Sequence, residues 1–293
     1  MSLADDESAQ TEVVDTIEQA RSRIRQWKQA GQSIAFVPTM GNLHAGHLAL
    51  VKAANESGMR TVVSIFVNPK QFGHNEDLDT YPRTFDEDIA ALSAYRVDML
   101  FAPDAAEIYP QGADATTSVH VRGLSDMLEG ECRPGFFIGV ATVVNILFNV
   151  IEPDVAWFGE KDYQQLLVIR KMVQDMALPI AIKSVPTVRE GDGLAMSSRN
   201  SYLTDQQRKL AVNLYACLQH VVDQIIQGVD YTYAVVHANQ ELTEAGFLTD
   251  YIVVRRQEDL GVPGKHDKSL IVLGAARLDG TRLIDNIPFE LMK

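Results

Sequence analysis

"SIAFVPTMGNLHAGHLALVKAANES" (33–57) decides how this chain is read. Its first seven residues form an apolar, β-rich run that predicts a buried strand. After the Pro-Thr-Met-Gly turn at 38–41, His44, His47, Leu48 and Val51 fall at i, i+3, i+4 and i+7, one stripe of a helix over 44–57. A buried strand feeding directly into an amphipathic helix is the first half of a β–α–β unit, which calls for a parallel sheet.

The same alternation continues outward. "TVVSIFVN" (61–68) predicts a second strand stopped by Pro69, "DEDIAALSAY" (86–95) a helix, and "VDMLFAP" (97–103) a third strand ended by Pro103. "GVATVVNILFNVI" (139–151) reads as a buried helix, too short to span a bilayer. "DVAWFGEKD" (154–162) and "IAIKSVPTV" (180–188) are further strands, flanking a helix at 163–177. A polar loop, "REGDGLAMSSRNSYL" (189–203), follows, and the texture then changes. Helices at about 204–228 and 231–246 precede three strand-like runs, and "LDGT" (278–281) is a hairpin signal between the last two. The expectation is an α/β parallel-sheet domain over 1–184, then a smaller α+β domain with an antiparallel sheet over 185–293, with a site between them.

Composition bounds the function. The 26 Lys and Arg against 39 Asp and Glu leave a formal charge of −13 over 293 residues. That argues against a nucleic-acid or membrane surface as partner, and a small anionic substrate would need local donors. Cys132 and Cys217 show no metal or redox spacing, and "MSLADDESAQ" (1–10) shows no basic, apolar leader. Both fit a cytoplasmic setting.

In a parallel sheet, ligands sit at the carboxyl ends of the strands. Three polar clusters fall there: His44 and His47, "NPKQFG" (68–73), and "GEKD" (159–162). The histidines could be a helix cap and a satisfied core residue, anion ligands at a helix N-terminus, or metal ligands, although no further metal ligand is near. Gly46 leaves space for a ligand against the backbone. Lys161 suits a phosphate, as do Arg199, Ser197 and Ser198 in "AMSSRN" (195–200). Gln71 and Gln165 are neutral amides able to hold a hydroxy acid. The acidic runs Asp77–Asp79 and Asp86–Asp88 read as solvated faces.

"PTMGNLHAGHLALV", "IFVNPKQFG", "YPRT", "PDVAWFGEKDYQQL" and "DGLAMSSRNSYL", in this order, resemble the pantothenate synthetase family of ATP-dependent ligases. The resemblance continues more loosely to "RLIDN" (282–286). It implies a Rossmann-like domain, a homodimer, and ATP with Mg2+. It also implies two half-reactions: pantoate and ATP give pantoyl adenylate and pyrophosphate, and β-alanine then displaces AMP. Carried over residue by residue, His44 and His47 would contact phosphates, with His47 as proton donor. Lys161, Arg199, Ser197 and Ser198 would hold the triphosphate. Met40, Gly41, Gly46, Gly159, Asp162, Val188 and Met196 would complete the ATP pocket. Gln71, Gln165, Asn68 and Met40 would bind pantoate, and Gln71 would also approach β-alanine.

The resemblance departs from the family at "RPGFFIGVATVVNILF" (133–148), where Phe136 replaces a usual His and Ile146 a usual Lys. Two other readings compete: a nucleotidyltransferase that stops at adenylation or cytidylation of a phosphate ester, and a nucleotide binder without catalysis. Basic residues in place of Gln71 and Gln165 would mark the first.

Overall fold

Six parallel strands form the larger sheet of the computed structural model, which describes residues 11–73, 76 and 78–291. The stretch 1–10 and Asp77, both interpreted above from sequence, lie outside the described residues. The strands are β1 (Glu12–Val14), β2 (Ile34–Thr39), β3 (Arg60–Ile65), β4 (Met99–Phe101), β5 (Val155–Gly159) and β6 (Ala181–Val185), in the order β1-β4-β3-β2-β5-β6. β2 pairs with β3 from Ile34↔Arg60 to Thr39↔Ile65 and with β5 at Ala35↔Val155. The chain builds outward from β2 through β3 to β4, then returns to the other side of β2 for β5 and β6. The carboxyl ends of β2 and β5 therefore flank the point where strand order reverses, the place where open α/β sheets bind ligands.

Both faces of this sheet are covered, as its near-continuous apolar strands require. Phe36 and Phe101 on one face join Phe137, Phe148 and Ile151 of the Phe136–Ile151 helix. Val37 and Leu100 on the other face join Val51 of the Ala45–Glu56 helix. The Phe136–Ile151 helix starts three residues earlier than its apolar run, because Gly135, at φ +87°, turns the chain into it.

The second sheet is antiparallel: β7 (Leu248–Arg256), β8 (Ser269–Leu278) and β9 (Thr281–Glu290). Asp279 and Gly280, at φ +46° and +91°, make the tight turn the "LDGT" signal predicts. Its own core gathers Leu218, Leu242, Leu270 and Val272. The single helix expected over 204–228 is two, Asp205–Ala211 and Asn213–Ile226. Their docking partners differ: Arg208 ties the first to Glu190 and Asp192, while Leu214, Leu218 and Val221 seat the second in the core of the antiparallel sheet. Among the described residues, no helix is long and apolar enough to cross a membrane.

Candidate active site

The turn after β2 is built from its own polar atoms. Thr39 Oγ1 donates to Ser64 O (2.7 Å) and accepts from Gly41 N (3.2 Å). Asp86 and Glu87 are exposed, as a solvated face requires, but Asp88 departs from that reading. It is buried, and its carboxylate accepts from Asn42 N (3.0 Å) and Leu43 N (2.7 Å). Burying this carboxylate is tolerable because those two N–H groups satisfy it.

His44 is the N-cap of the Ala45–Glu56 helix. Its Nδ1 accepts from Gly46 N (3.1 Å), and its backbone N donates to His47 Nδ1 (3.4 Å). The rings lie 4.1 Å apart, centroid to centroid. A Cβ on Gly46 would sit 2.8 Å from the His44 ring, so the glycine first makes room for that ring rather than for a ligand. The capping and ligand-binding readings are therefore compatible. With both Nδ1 atoms accepting, each neutral imidazole carries its hydrogen on Nε2, free to donate elsewhere. Burial, then the charge of Lys161, pushes His44 down to about 4 despite an opposite pull from Asp162. Burial, then His44 and Lys161, pushes His47 down to about 3. Both rings are neutral at physiological pH.

At the end of β5, Gly159 leads into a short 3-10 turn, Glu160–Asp162. Lys161 Nζ lies 3.8 Å from Asp162 Oδ1. The turn is anchored from β9, where Asn286 Nδ2 donates to Glu160 O (3.0 Å) and Lys161 O (2.8 Å). The serine loop is anchored at both ends. Ser198 Oγ donates to Asn42 O (3.3 Å), joining it to the turn after β2, and Ser197 Oγ accepts from Arg199 N (3.3 Å). Arg189 makes a bidentate pair with buried Asp285 (2.6 and 2.9 Å) and lies over the Tyr215 ring at 3.8 Å. Arg189, Asp285 and Asn286 carry no local signal of these roles in the sequence, and Asp88 reads there only as a solvated acid. Only "RLIDN", at the loose end of the resemblance, carried a trace of two of them.

The amides line the same cavity. Asn68, 1% exposed, donates to Gln71 Oε1 (3.1 Å) and Gly139 O (3.2 Å) and accepts from Tyr109 Oη (2.7 Å). Burial raises the Tyr109 hydroxyl pKa, so it remains a donor. Gln71 Nε2 donates to Met40 Sδ (2.7 Å). Gln165 and Gln164 both line the cavity, but the Gln164 amide is buried and its Nε2 donates to the carbonyls of Leu124 and Met127. Phe136 lines the cavity beneath Arg133, and Ile146 packs against the core.

A cavity of about 470 Å³ is lined by every predicted site residue except Gly41. Gly41 instead shapes the turn, at φ +80°, where a Cβ would come within 3.0 Å of Asp88 Oδ2. Cationic Lys161 and Arg199 and the histidine pair thus share one cavity with neutral Gln71 and Gln165. That arrangement can hold a polyanion beside a hydroxylated acid without neutralising the acid. Among the described residues, no group of three or more His, Cys, Asp or Glu is placed to hold a metal ion.

Residues 12–288 match the family model described as pantoate-beta-alanine ligase. The pantothenate synthetase of Shewanella amazonensis is 54% identical over 280 residues, covering 96% of this chain and 99% of its own length. That of Nitrosococcus oceani is 49% identical, covering 95% and 98%. The crystal structure of pantothenate synthetase from Thermus thermophilus superposes with a TM-score of 0.89 at 42% identity, covering 97% of this chain and all of that one. A pantoate-beta-alanine ligase from Francisella tularensis, complexed with "Beta-gamma ATP and Beta-alanine", superposes at 0.80 with 34% identity, covering 95% and 97%. With the fold, the cavity and these relatives in agreement over nearly its whole length, the chain belongs to the pantoate–β-alanine ligase family.

Proposed function

We propose that this cavity condenses pantoate with β-alanine using ATP, through a pantoyl adenylate, and releases AMP and pyrophosphate. The observation that carries the reading is the shared cavity, lined by cations, imidazole donors and neutral amides together. A pantoate carboxylate oxygen attacks the α-phosphorus and the bond to pyrophosphate breaks. The β-alanine amine then attacks the acyl carbon, and AMP leaves with its bonding electrons. Gln71 and Gln165 hold pantoate by hydrogen bonds, so its carboxylate keeps the charge that makes it a nucleophile. Asn68 sets Gln71 from behind, and Met40 lies against the Gln71 amide.

Lys161, Arg199, Ser197 and Ser198 stabilise the triphosphate as negative charge moves onto pyrophosphate. Gly159, Asp162, Val188 and Met196 complete the nucleotide side, with Gly41 and Gly46 shaping the turn and helix start. His44 and His47 donate Nε2–H hydrogen bonds to phosphate oxygens. The depressed affinity of His47 for a second proton favours this role over the proton donation implied by the resemblance. Mg2+ fits as the ion carried by the triphosphate. Asp162 is a carboxylate at that end of the cavity, and Mg2+ is commonly held by substrate phosphates and one or two carboxylates.

The reading extends to a cytoplasmic homodimer. The free thiols of Cys132 and Cys217 fit a reducing compartment, and light scattering tests the dimer. It also keeps the division at 184/185, supported by a second core drawn wholly from residues after 193. The deciding experiment is AMP release with ATP, pantoate and β-alanine, each omitted in turn. AMP appears only with all three, and rapid quenching of ATP plus pantoate traps the adenylate. AMP release without β-alanine, or no adenylate, overturns the proposal.

A further inference from the structure

Arg133 sits in the cavity wall with its guanidinium carbon 3.7 Å from the centre of the Phe136 ring. Its Nε and Nη2 donate to the two carboxylate oxygens of Glu76, both at 2.6 Å. Nη2 also donates to Gln71 O, at 3.3 Å. The side chain is 12% exposed. Glu76 and the Gln71 carbonyl thus fix the guanidinium edge, and the aromatic ring fixes its face.

Gln71 closes the short 3-10 turn Pro69–Gln71. Asn68 caps the start of that turn, its Oδ1 accepting from Lys70 N at 3.2 Å. The backbone of Gly139 presses on the middle so closely that a Cβ there would lie 2.2 Å from Lys70 O. Asn68 and Met40 hold the Gln71 side chain, and Arg133 holds its backbone carbonyl.

We propose that Phe136 is a positioning residue for the pantoate subsite. Its ring keeps the Arg133 guanidinium in the plane from which Nη2 holds the Gln71 carbonyl, and so sets the Gln71 amide that meets the substrate. The inference rests on Gln71 being a pantoate ligand. Holding a guanidinium by its face needs a flat π system, which the Phe136 ring supplies. An aliphatic side chain of similar volume supplies the packing without the face.

The test is the KM for each substrate in Phe136→Leu, Phe136→Tyr and Gln71→Ala, beside the parent enzyme. Loss of a cation–π contact should raise the pantoate KM of Phe136→Leu by about three- to thirtyfold, with the ATP KM near the parent value. Phe136→Tyr, which keeps a ring under the guanidinium, should restore the parent KM. A merely structural role would move both constants together. An unchanged pantoate KM in Phe136→Leu, an equal rise for ATP, or no rescue by Phe136→Tyr overturns the inference. If Phe136→Leu does not fold, Phe136→Met is judged by the same criteria. A raised pantoate KM in Gln71→Ala with none in Phe136→Leu means that only this inference has failed. An unchanged KM in Gln71→Ala overturns the pantoate reading of Gln71 and this inference together.

Discussion

Asn286 of β9 donates its side-chain amide to the backbone carbonyl of Lys161, 2.8 Å away and 125 positions earlier in the chain. The antiparallel sheet thereby holds the turn that carries the cation at the end of β5. That anchor fixes the backbone of the turn, while Nζ itself lies 3.8 Å from Asp162 Oδ1.

Lys161→Ala should therefore slow adenylation much more than the transfer to β-alanine, by the roughly 2.7–4 kcal/mol typical of one lost charge-stabilising donor. Asn286→Leu keeps the lysine but frees its turn. Its adenylation rate should fall between parent and Lys161→Ala, with about 0.5–1.5 kcal/mol lost from folding per hydrogen bond as two part-buried carbonyls lose a donor. Single-turnover measurement of the two steps decides. Equal slowing of both steps by Lys161→Ala would contradict its assignment to pyrophosphate departure.

The histidines separate capping from chemistry. His44→Asn retains an N-cap acceptor and should leave thermal stability near the parent, whereas His44→Ala should cost about 1 kcal/mol. Both lose the Nε2 donor, so both should slow adenylation to a similar extent. His47→Ala should slow it by about 10²–10³-fold. Adenylation at the parent rate in His44→Asn would remove the phosphate role of that ring.

Stability should fall with acid through these same rings. Their folded values of about 4 and about 3 lie below the ordinary 6.5, so the unfolded chain binds protons that the native rings refuse. The native state is thus undiminished above pH 6.5, and loses stability below it until about pH 4 for His44 and about pH 3 for His47. Denaturant melts from pH 7 to 4 should show a shallower decline in a His44→Asn/His47→Asn double variant. Parallel curves would show that the rings do not contribute.

Arg189 and Asp285 tie the serine loop to β9. Arg189→Met leaves the Asp285 carboxylate buried without its partner, for which about 3–5 kcal/mol is the usual loss. Adding Asp285→Leu should recover much of it in urea melts. A single-variant loss below about 1 kcal/mol would mean that the pair behaves as a surface salt bridge.

Legibility followed the range of the interactions. The β2 strand, the Ala45–Glu56 helix and the "LDGT" turn were readable because periodicity and turn chemistry act over a few residues. β1 and the Ile17–Gln29 helix passed unread; three residues of strand are too few to show a period. Asp88 looked like a solvated acid because its partners, Asn42 N and Leu43 N, lie some 45 positions away. Phe136 looked like a missing polar group, whereas the structure places it as a flat surface under Arg133.

By itself the sequence determined the alternation that makes the sheet parallel, the clusters at its strand ends and the family motifs, because these are written in local spacing. Tertiary structure decided that His44 and His47 both cap a helix and keep Nε2 free, that Gly46 exists first for the His44 ring, and that β9 anchors both Lys161 and the loop behind the serines. Those outcomes depend on which distant backbone donors and acceptors become neighbours. Burial requires every such group to find a partner, but no short stretch of sequence names it.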